Sequence, residues 1–192
     1  SCISKEDNSI NHNKFVLMST SGDQSDVVFQ TTANMSTTGS GEAQWNAAVV
    51  SSGSPELYDS YQAYFADLAA RLSVPGNDYN AVRPPTTYGK LTPHYFPRTD
   101  GIDTVAEKLA SVNCAGSTQV DVMATHFVRT AVRDRLNQMS HDGCVIRVIA
   151  RADNISPEMC ESLVAQAVTV RIGDAPSGSK VGIHGKYLTV SG

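Results

Sequence analysis

The sequence lacks strong charge of either sign: 15 Lys and Arg face 19 Asp and Glu, a formal net charge of -4 over 192 residues. Counterion release needs many basic groups in one place, so this balance excludes a protein whose affinity rests on a broad basic surface. A local phosphate pocket stays open. Long apolar runs are also missing: none approaches the roughly 18 residues a membrane-spanning helix needs, and residues 1–9 contain no apolar signal-peptide core. Closely spaced cysteines are absent too. Cys2, Cys114, Cys144 and Cys160 form no C-x-x-C pair, which argues against a structural zinc site. Four cysteines permit two disulfides. Cys144 with Cys160 is the expected close pair, one opening a strand and the other riding the following helix; buried free thiols are the alternative.

What is present suits a globular chain. With 41% hydrophobic and 18% charged residues it has apolar content for one ordinary core or two modest half-domains. Residues 10–19 and 26–33 read as two neighbouring strands separated by the turn-forming 20–25. A helix follows, with Ser54 as N-cap, Pro55 at its first position and Leu57, Tyr61, Phe65, Leu68 and Leu72 at helical spacing. Its tyrosines read as core and helix-edge residues. Pro75-Gly76 ends it, and the stretch to Arg98, with Pro84, Pro85, Pro93 and Pro97, reads as an irregular connection pinned by Tyr79, Tyr88, Tyr95 and Phe96. Beyond it, helices and strands alternate regularly, which predicts α/β architecture with a largely parallel or mixed sheet. The expected organisation is therefore a first lobe at 1–74, a connection at 75–98 and a second lobe at 99–192.

The most informative signal is a repeat. His12 to Ser19, HNKFVLMS, aligns without gaps on His184 to Ser191, HGKYLTVS. His, Lys and Ser coincide, Phe15 faces Tyr187, Val16 faces Leu188 and Met18 faces Val190. Chance predicts roughly 0.16 H-x-K tripeptides in this composition, so two copies with matching sequels indicate a duplication. In a strand, residues two apart share a face, so each copy would present an imidazole beside an ammonium. Lysine offers fixed positive charge to a phosphate oxygen, and histidine acts as nucleophile or general acid near neutral pH. Two copies flanking a phosphodiester could divide attack and protonation between them without a metal or other cofactor.

These residues resemble the phospholipase D superfamily, whose signature is a pair of H-x-K-x-x-x-x-D motifs, each followed by a G-S-x-N element. His12 and Lys14 fit the first motif, with Thr32 and Asn34 at the Ser and Asn places of its downstream element. His184 and Lys186 fit the second. Both Asp places hold serine, Ser19 and Ser191. The likeness is greatest to secreted actinobacterial phospholipase D-like proteins. It implies a two-lobed fold of mixed sheets flanked by helices, seen here as a central fragment that missing parts of the same protein or a second chain would complete. The implied activity is metal-independent hydrolysis or transfer of phospholipid headgroups through a phosphohistidine. His12 is then the nucleophile and His184 the general acid, with Lys14 and Lys186 on the phosphate and Thr32, Asn34, Ser19 and Ser191 supporting substrate. The implied location is secreted. A nuclease on the same scaffold is disfavoured by the acidic balance, and a non-catalytic phosphate-binding module is the alternative from a different class.

Other candidates are weaker. His126 is expected at the C-terminal end of a strand, where α/β sheets place ligand sites, with a structural or rim role as the plainer reading. Arg129, Arg133 and Arg135 read as a solvated helix face. The Gly39–Gly41 loop lacks the lysine and strand-to-helix setting of a P-loop.

Overall fold

The computed structural model describes residues 11–36, 44–70, 74–173 and 182–192. In chain order these carry β1 (Phe15–Ser21), β2 (Gln24–Thr31), β3 (Gln44–Trp45), β4 (Ala48–Ser51), α1 (Pro55–Ala69), the single turn α2 (Tyr79–Val82) and α3 (Thr104–Ala110). There follow β5 (Gln119–Ala124), α4 (Thr130–His141), β6 (Val145–Ala150), α5 (Pro157–Val164), β7 (Thr169–Ile172), β8 (Gly182–Ile183) and β9 (Lys186–Ser191). The chain forms two compact units, one of Ser1–Thr31 with Ala48–Ile102 and one of Thr32–Ala47 with Asp103–Gly192. This division differs from 1–74, 75–98 and 99–192: the proline-rich stretch belongs to the first unit, and a short early segment belongs to the second. Cys2, Leu72 and the Gly39–Gly41 loop lie outside the described residues.

In the first unit β1, β2 and β4 form an antiparallel sheet in the order β1-β2-β4. Ser21 pairs with Gln24 across Gly22-Asp23, and Gly22 has φ 62, a conformation glycine adopts without a Cβ clash. The first strand begins at Phe15 rather than at residue 10, because the ladder ends where Phe15 meets Gln30. Ser54 and Pro55 start α1 as expected, the Tyr58 N–H donating to the Ser54 carbonyl at 3.0 Å. Its buried residues are Leu57, Tyr58, Tyr64 and Leu68, whereas Phe65 is exposed. The buried stripe is thus rotated toward the tyrosines, because an aromatic cluster rather than an aliphatic layer receives it.

That cluster draws on the segment read as an irregular connection pinned by its aromatics. Tyr79 and Tyr95 are buried with Tyr64, Leu68 and Val74, and Phe15 and Tyr61 pack against them. Tyr64 stacks on Tyr95 at a centroid distance of 4.5 Å, and Tyr61 meets Tyr95 edge-on at 5.5 Å. The hydroxyls find partners: Tyr61 donates to Gln30 Oε1 at 2.9 Å, and Tyr79 donates to Asp67 Oδ2 at 2.7 Å. Arg83 also donates to Asp67 through Nε. The Arg83 guanidinium holds the Asp67 carboxyl below its ordinary value of 3.8, while burial and the Asp67 carboxylate push the Tyr79 phenol up.

In the second unit β7-β6-β5-β9 form a mixed sheet: β5, β6 and β7 run parallel and β9 closes the edge antiparallel to β5. The predicted alternation of helix and strand is present throughout, and the architecture is mixed α/β. Alternate residues Val120 and Val122 of β5, and Ile146, Val148 and Ala150 of β6, enter one core with Leu109, Val132, Leu136, Met139, Met159 and Leu163 of the helices. Asp103 caps α3 by accepting from the Val105 and Ala106 N–H groups, and Ser156 caps α5 by accepting from Met159 N–H.

The disulfide joins Cys114 to Cys144, not Cys144 to Cys160. Parallel β5 and β6 start side by side, Gln119 opposite Val145, so the loop before β5 lies beside the residue opening β6. The two Cα atoms are 4.7 Å apart. Cys160 packs instead against the helix–sheet core as a free thiol.

Two outcomes follow. Replacing both Cys114 and Cys144 by Ser releases a link spanning 30 residues and should cost about 3–4 kcal/mol, measured by urea unfolding with the untreated and the reduced protein as references. Because the Asp67 pKa is depressed on folding, its contribution is present above the ordinary carboxyl value and is lost as pH falls through the folded value. Asp67→Asn should therefore flatten the fall in melting temperature below about pH 4 while lowering stability at pH 7.

Candidate functional site

The two H-x-K copies share a backbone device that their strand assignment alone does not predict. His12 to Lys14 precede β1, and His184 and Gly185 precede β9, so the histidines lie on the approach to their strands and not within them. In each copy the lysine bends back onto its own histidine: Lys14 Nζ donates to the His12 carbonyl at 2.7 Å, and Lys186 Nζ donates to the His184 carbonyl at 2.9 Å. The same hydrogen bond forms twice because the same three-residue spacing enters an antiparallel ladder twice. Beyond this local device, the supports differ.

In the first unit, neighbours of His12 and Lys14 anchor the motif to the aromatic cluster. Phe15 meets Tyr61 edge-on at 5.4 Å and lies 5.8 Å from Tyr64, whose hydroxyl accepts from Asn13 Nδ2. The Lys14 carbonyl accepts from Thr31 N–H at 2.9 Å, continuing the hairpin by one rung. His12 is exposed and Lys14 half-buried, and desolvation lowers the Lys14 ammonium from its ordinary value.

In the second unit a polar network grips the motif. β3 and β8 pair in parallel, Gln44 with Gly182 and Trp45 with Ile183, and the His184 N–H extends this pairing by donating to the Trp45 carbonyl at 3.0 Å. That places Asn46 against the imidazole, with His184 Nδ1 and Asn46 Oδ1 3.0 Å apart. Asn46 Nδ2 donates to the Gln44 carbonyl at 3.3 Å, which orients the amide so that its oxygen faces the ring. Thr32 braces the same residue: its hydroxyl lies 3.1 Å from Asn46 Oδ1 and accepts from Ala47 N–H at 2.9 Å. On the other side, buried Thr125 sends both its N–H (3.2 Å) and its hydroxyl (3.3 Å) to the Gly185 carbonyl. Gly185 itself sits so close to β5 that a Cβ would meet Met123 Sδ at 2.5 Å.

The second unit thus assembles Thr32, His184 and Lys186, with Asn34 half-buried two residues beyond Thr32. Thr32 acts as a brace for Asn46, a role its place at the Ser of G-S-x-N does not specify. The motif serines lie elsewhere: Ser191 pairs with Gln119 and Lys186 with Ala124, at opposite ends of β9, about 17 Å apart at strand rise. Ser19 is equally far along β1 from Lys14, about 17 Å of extended chain. Neither serine joins its lysine.

Asn46 and Thr125 were missed by sequence reading. Asn46 carried no signal, since its partner is 138 positions away through a two-residue strand pair. His126 does lie just past β5, exposed, and with Lys186, Val105, Phe127, Val132 and Leu188 it lines a hollow of about 270 Å³. The arginines are engaged: Arg129 pairs with Asp103, Arg133 with Asp134, and Arg135 donates to the Ala110 carbonyl. No family model, curated protein or solved structure matches the chain.

Thr32→Val should remove the acceptor for the Ala47 N–H and a brace of Asn46 at once, destabilising the second unit by about 1–3 kcal/mol in chemical denaturation, whereas Thr32→Ser should stay near wild type.

Proposed function

We propose that the chain forms part of a metal-independent phosphodiesterase that hydrolyses or transfers phospholipid headgroups through a phosphohistidine. The observation that carries this reading is the second H-x-K, where a buried imidazole is hydrogen-bonded through Nδ1 and its lysine is folded back two residues away. Such a ring presents Nε2 to a substrate, and an adjacent ammonium stabilises the negative oxygens on phosphorus. One imidazole attacks phosphorus and a second proton-transfer group protonates the departing oxygen, so that one difficult displacement becomes two easier ones. In the resemblance the second imidazole comes from another copy of the motif. The repeated Lys-to-His carbonyl bond supports the duplication on which this reading depends. The phospholipid preference and the two-lobed phospholipase D-like fold belong to the resemblance. The Cys114–Cys144 link favours an oxidising compartment, in keeping with a secreted protein.

The test is hydrolysis of phosphatidylcholine vesicles and of bis(p-nitrophenyl) phosphate by the intact protein. Turnover should survive EDTA, and His184→Ala should lower kcat by about 10²–10⁴-fold. Lys186→Met should weaken inhibition by inorganic phosphate or tungstate at least about tenfold, as loss of a charge-assisted contact requires. Phosphate binding without turnover would favour the non-catalytic module, and salt-sensitive cleavage of DNA the nuclease.

A further inference from the structure

We propose that the hollow at the C-terminal end of β5 binds an amphiphilic anion, a carboxylate or phosphate carried on a single ring or a short alkyl tail. The site lies wholly within the second unit. It needs neither histidine of the repeat and does not rest on the phosphodiesterase reading.

The floor of the hollow follows from strand register. Val122 pairs with Leu188 and Ala124 with Lys186 across the β5–β9 ladder, so these four side chains share one face of the sheet. Val122 and Leu188 belong to the core with the helices, which makes this the helix-facing side. Val105 of α3, Val132 of α4 and Phe127 of the β5–α4 loop complete the lining of a space of about 270 Å³. An apolar cavity of about 150 Å³ takes one benzene. The hollow therefore suits one substituted ring or one short chain, and its aliphatic walls favour such a tail over a bare ion.

The polar side chains around it have one electrostatic sign. His126, Arg129 and Lys186 contribute to the lining, and among the described residues no Asp or Glu does. Lys186 donates to the His184 carbonyl, which leaves its methylene stem for the wall while its charge stays close by. Arg129 is held from α3 by Asp103, Nε to Oδ2 at 2.6 Å and a terminal nitrogen to Oδ1 at 2.6 Å, through the carboxylate that also caps α3. One acid behind the wall thus faces two fixed cations and an imidazole, on a chain whose net charge is -4. Such a rim selects an anionic head. His126 is exposed just past β5 and can turn an N–H toward that head in either tautomer. The loop that carries it is anchored, Phe127 N–H donating to the Asn154 carbonyl at 2.9 Å, so little ordering opposes binding. The position agrees with the general placing of ligands beyond the carboxyl ends of parallel strands.

The experiment is titration of the intact protein with benzoate and with acetate, followed by calorimetry and by methyl NMR of the valines and leucines. Benzoate should bind at least about tenfold more tightly than acetate, as burial of the ring requires. The methyls of Val105, Val122, Val132 and Leu188 should shift with it. Phenyl phosphate against inorganic phosphate repeats the comparison with the other head group, and the tighter of the two ring-bearing anions names the head. Benzyl alcohol, which has the ring without the charge, should bind more weakly than either. Val105→Trp, which fills the space, should abolish the preference for the ring. His126→Glu, at an exposed position that spares the fold, should weaken benzoate about threefold or more. Equal binding of benzoate and acetate, methyl shifts elsewhere, or indifference to both substitutions overturns the site. Phosphate held at the H-x-K motif alone would show that indifference. Shifts of the same methyls that depend on protein concentration and not on benzoate would give the hollow to a second copy of the chain and overturn the proposal as well. Absence of phosphodiester turnover overturns the earlier reading and leaves this one standing.

Discussion

An imidazole has two nitrogens and, when neutral, one lone pair to offer, so any chemistry at His184 depends on which nitrogen holds the hydrogen. Asn46 fixes that choice. The amide in turn depends on β3 and β8, a pairing of only two residues per strand that brings a segment from early in the chain against the approach to β9. Thr32 and Ala47 close a small loop around Asn46, through the Ala47 N–H to the Thr32 hydroxyl and the Thr32 N–H to the Ala47 carbonyl at 2.9 Å. Thr125 holds the opposite side of the His184–Lys186 turn from the end of β5. The mixed sheet supplies the rigid wall, since β5 is paired on both edges and its inner face is buried against three helices. Each layer limits the freedom of the one above it, ending at a single ring.

The two copies of the motif show how far local sequence reaches. Both fold their lysine back onto the histidine carbonyl, because that bond needs only the spacing and an antiparallel strand to follow. What surrounds them is set by distant residues and is not duplicated. The first copy leans on stacked tyrosines from α1 and the following segment, with Phe15 as its anchor. The second leans on an amide and two threonine hydroxyls. Aromatic packing fixes a backbone without specifying a tautomer, whereas an amide oxygen specifies one, so equal motifs acquire unequal surroundings.

The alternating α/β pattern of the second unit was legible because each element carries its own period: Val120 and Val122 alternate along a strand, and Val132, Leu136 and Met139 recur along a helix. Ser54-Pro55 marked a helix start for the same local reason. The H-x-K repeat was legible, and both copies carry the same lysine-to-carbonyl bond. The disulfide was not, since sequence nearness favoured Cys160 while the parallel register of β5 and β6 decides for Cys114. The pinning of the proline-rich stretch by Tyr79 and Tyr95 was legible, but not that Phe96 beside them stays exposed. Asn46 sat beside an exposed Trp45 in a short apolar stretch, and only a pairing too brief to leave a pattern reveals its role.

The serines at the Asp places bear on whether such a site is intact. If those positions touched phosphate, exchanging carboxylate for hydroxyl would alter charge at the reacting centre. Their location removes that consequence within each motif: Ser191 is at the far end of β9 from Lys186, beside Gln119, and Ser19 is well along β1 from Lys14. An aspartate at either place would sit in the body of its strand and would change strand polarity rather than the charge beside the lysine. The neutral group that touches the second imidazole directly is Asn46. The electrostatic character of the second motif is therefore set by the amide against its histidine and not by the residue five positions beyond its lysine.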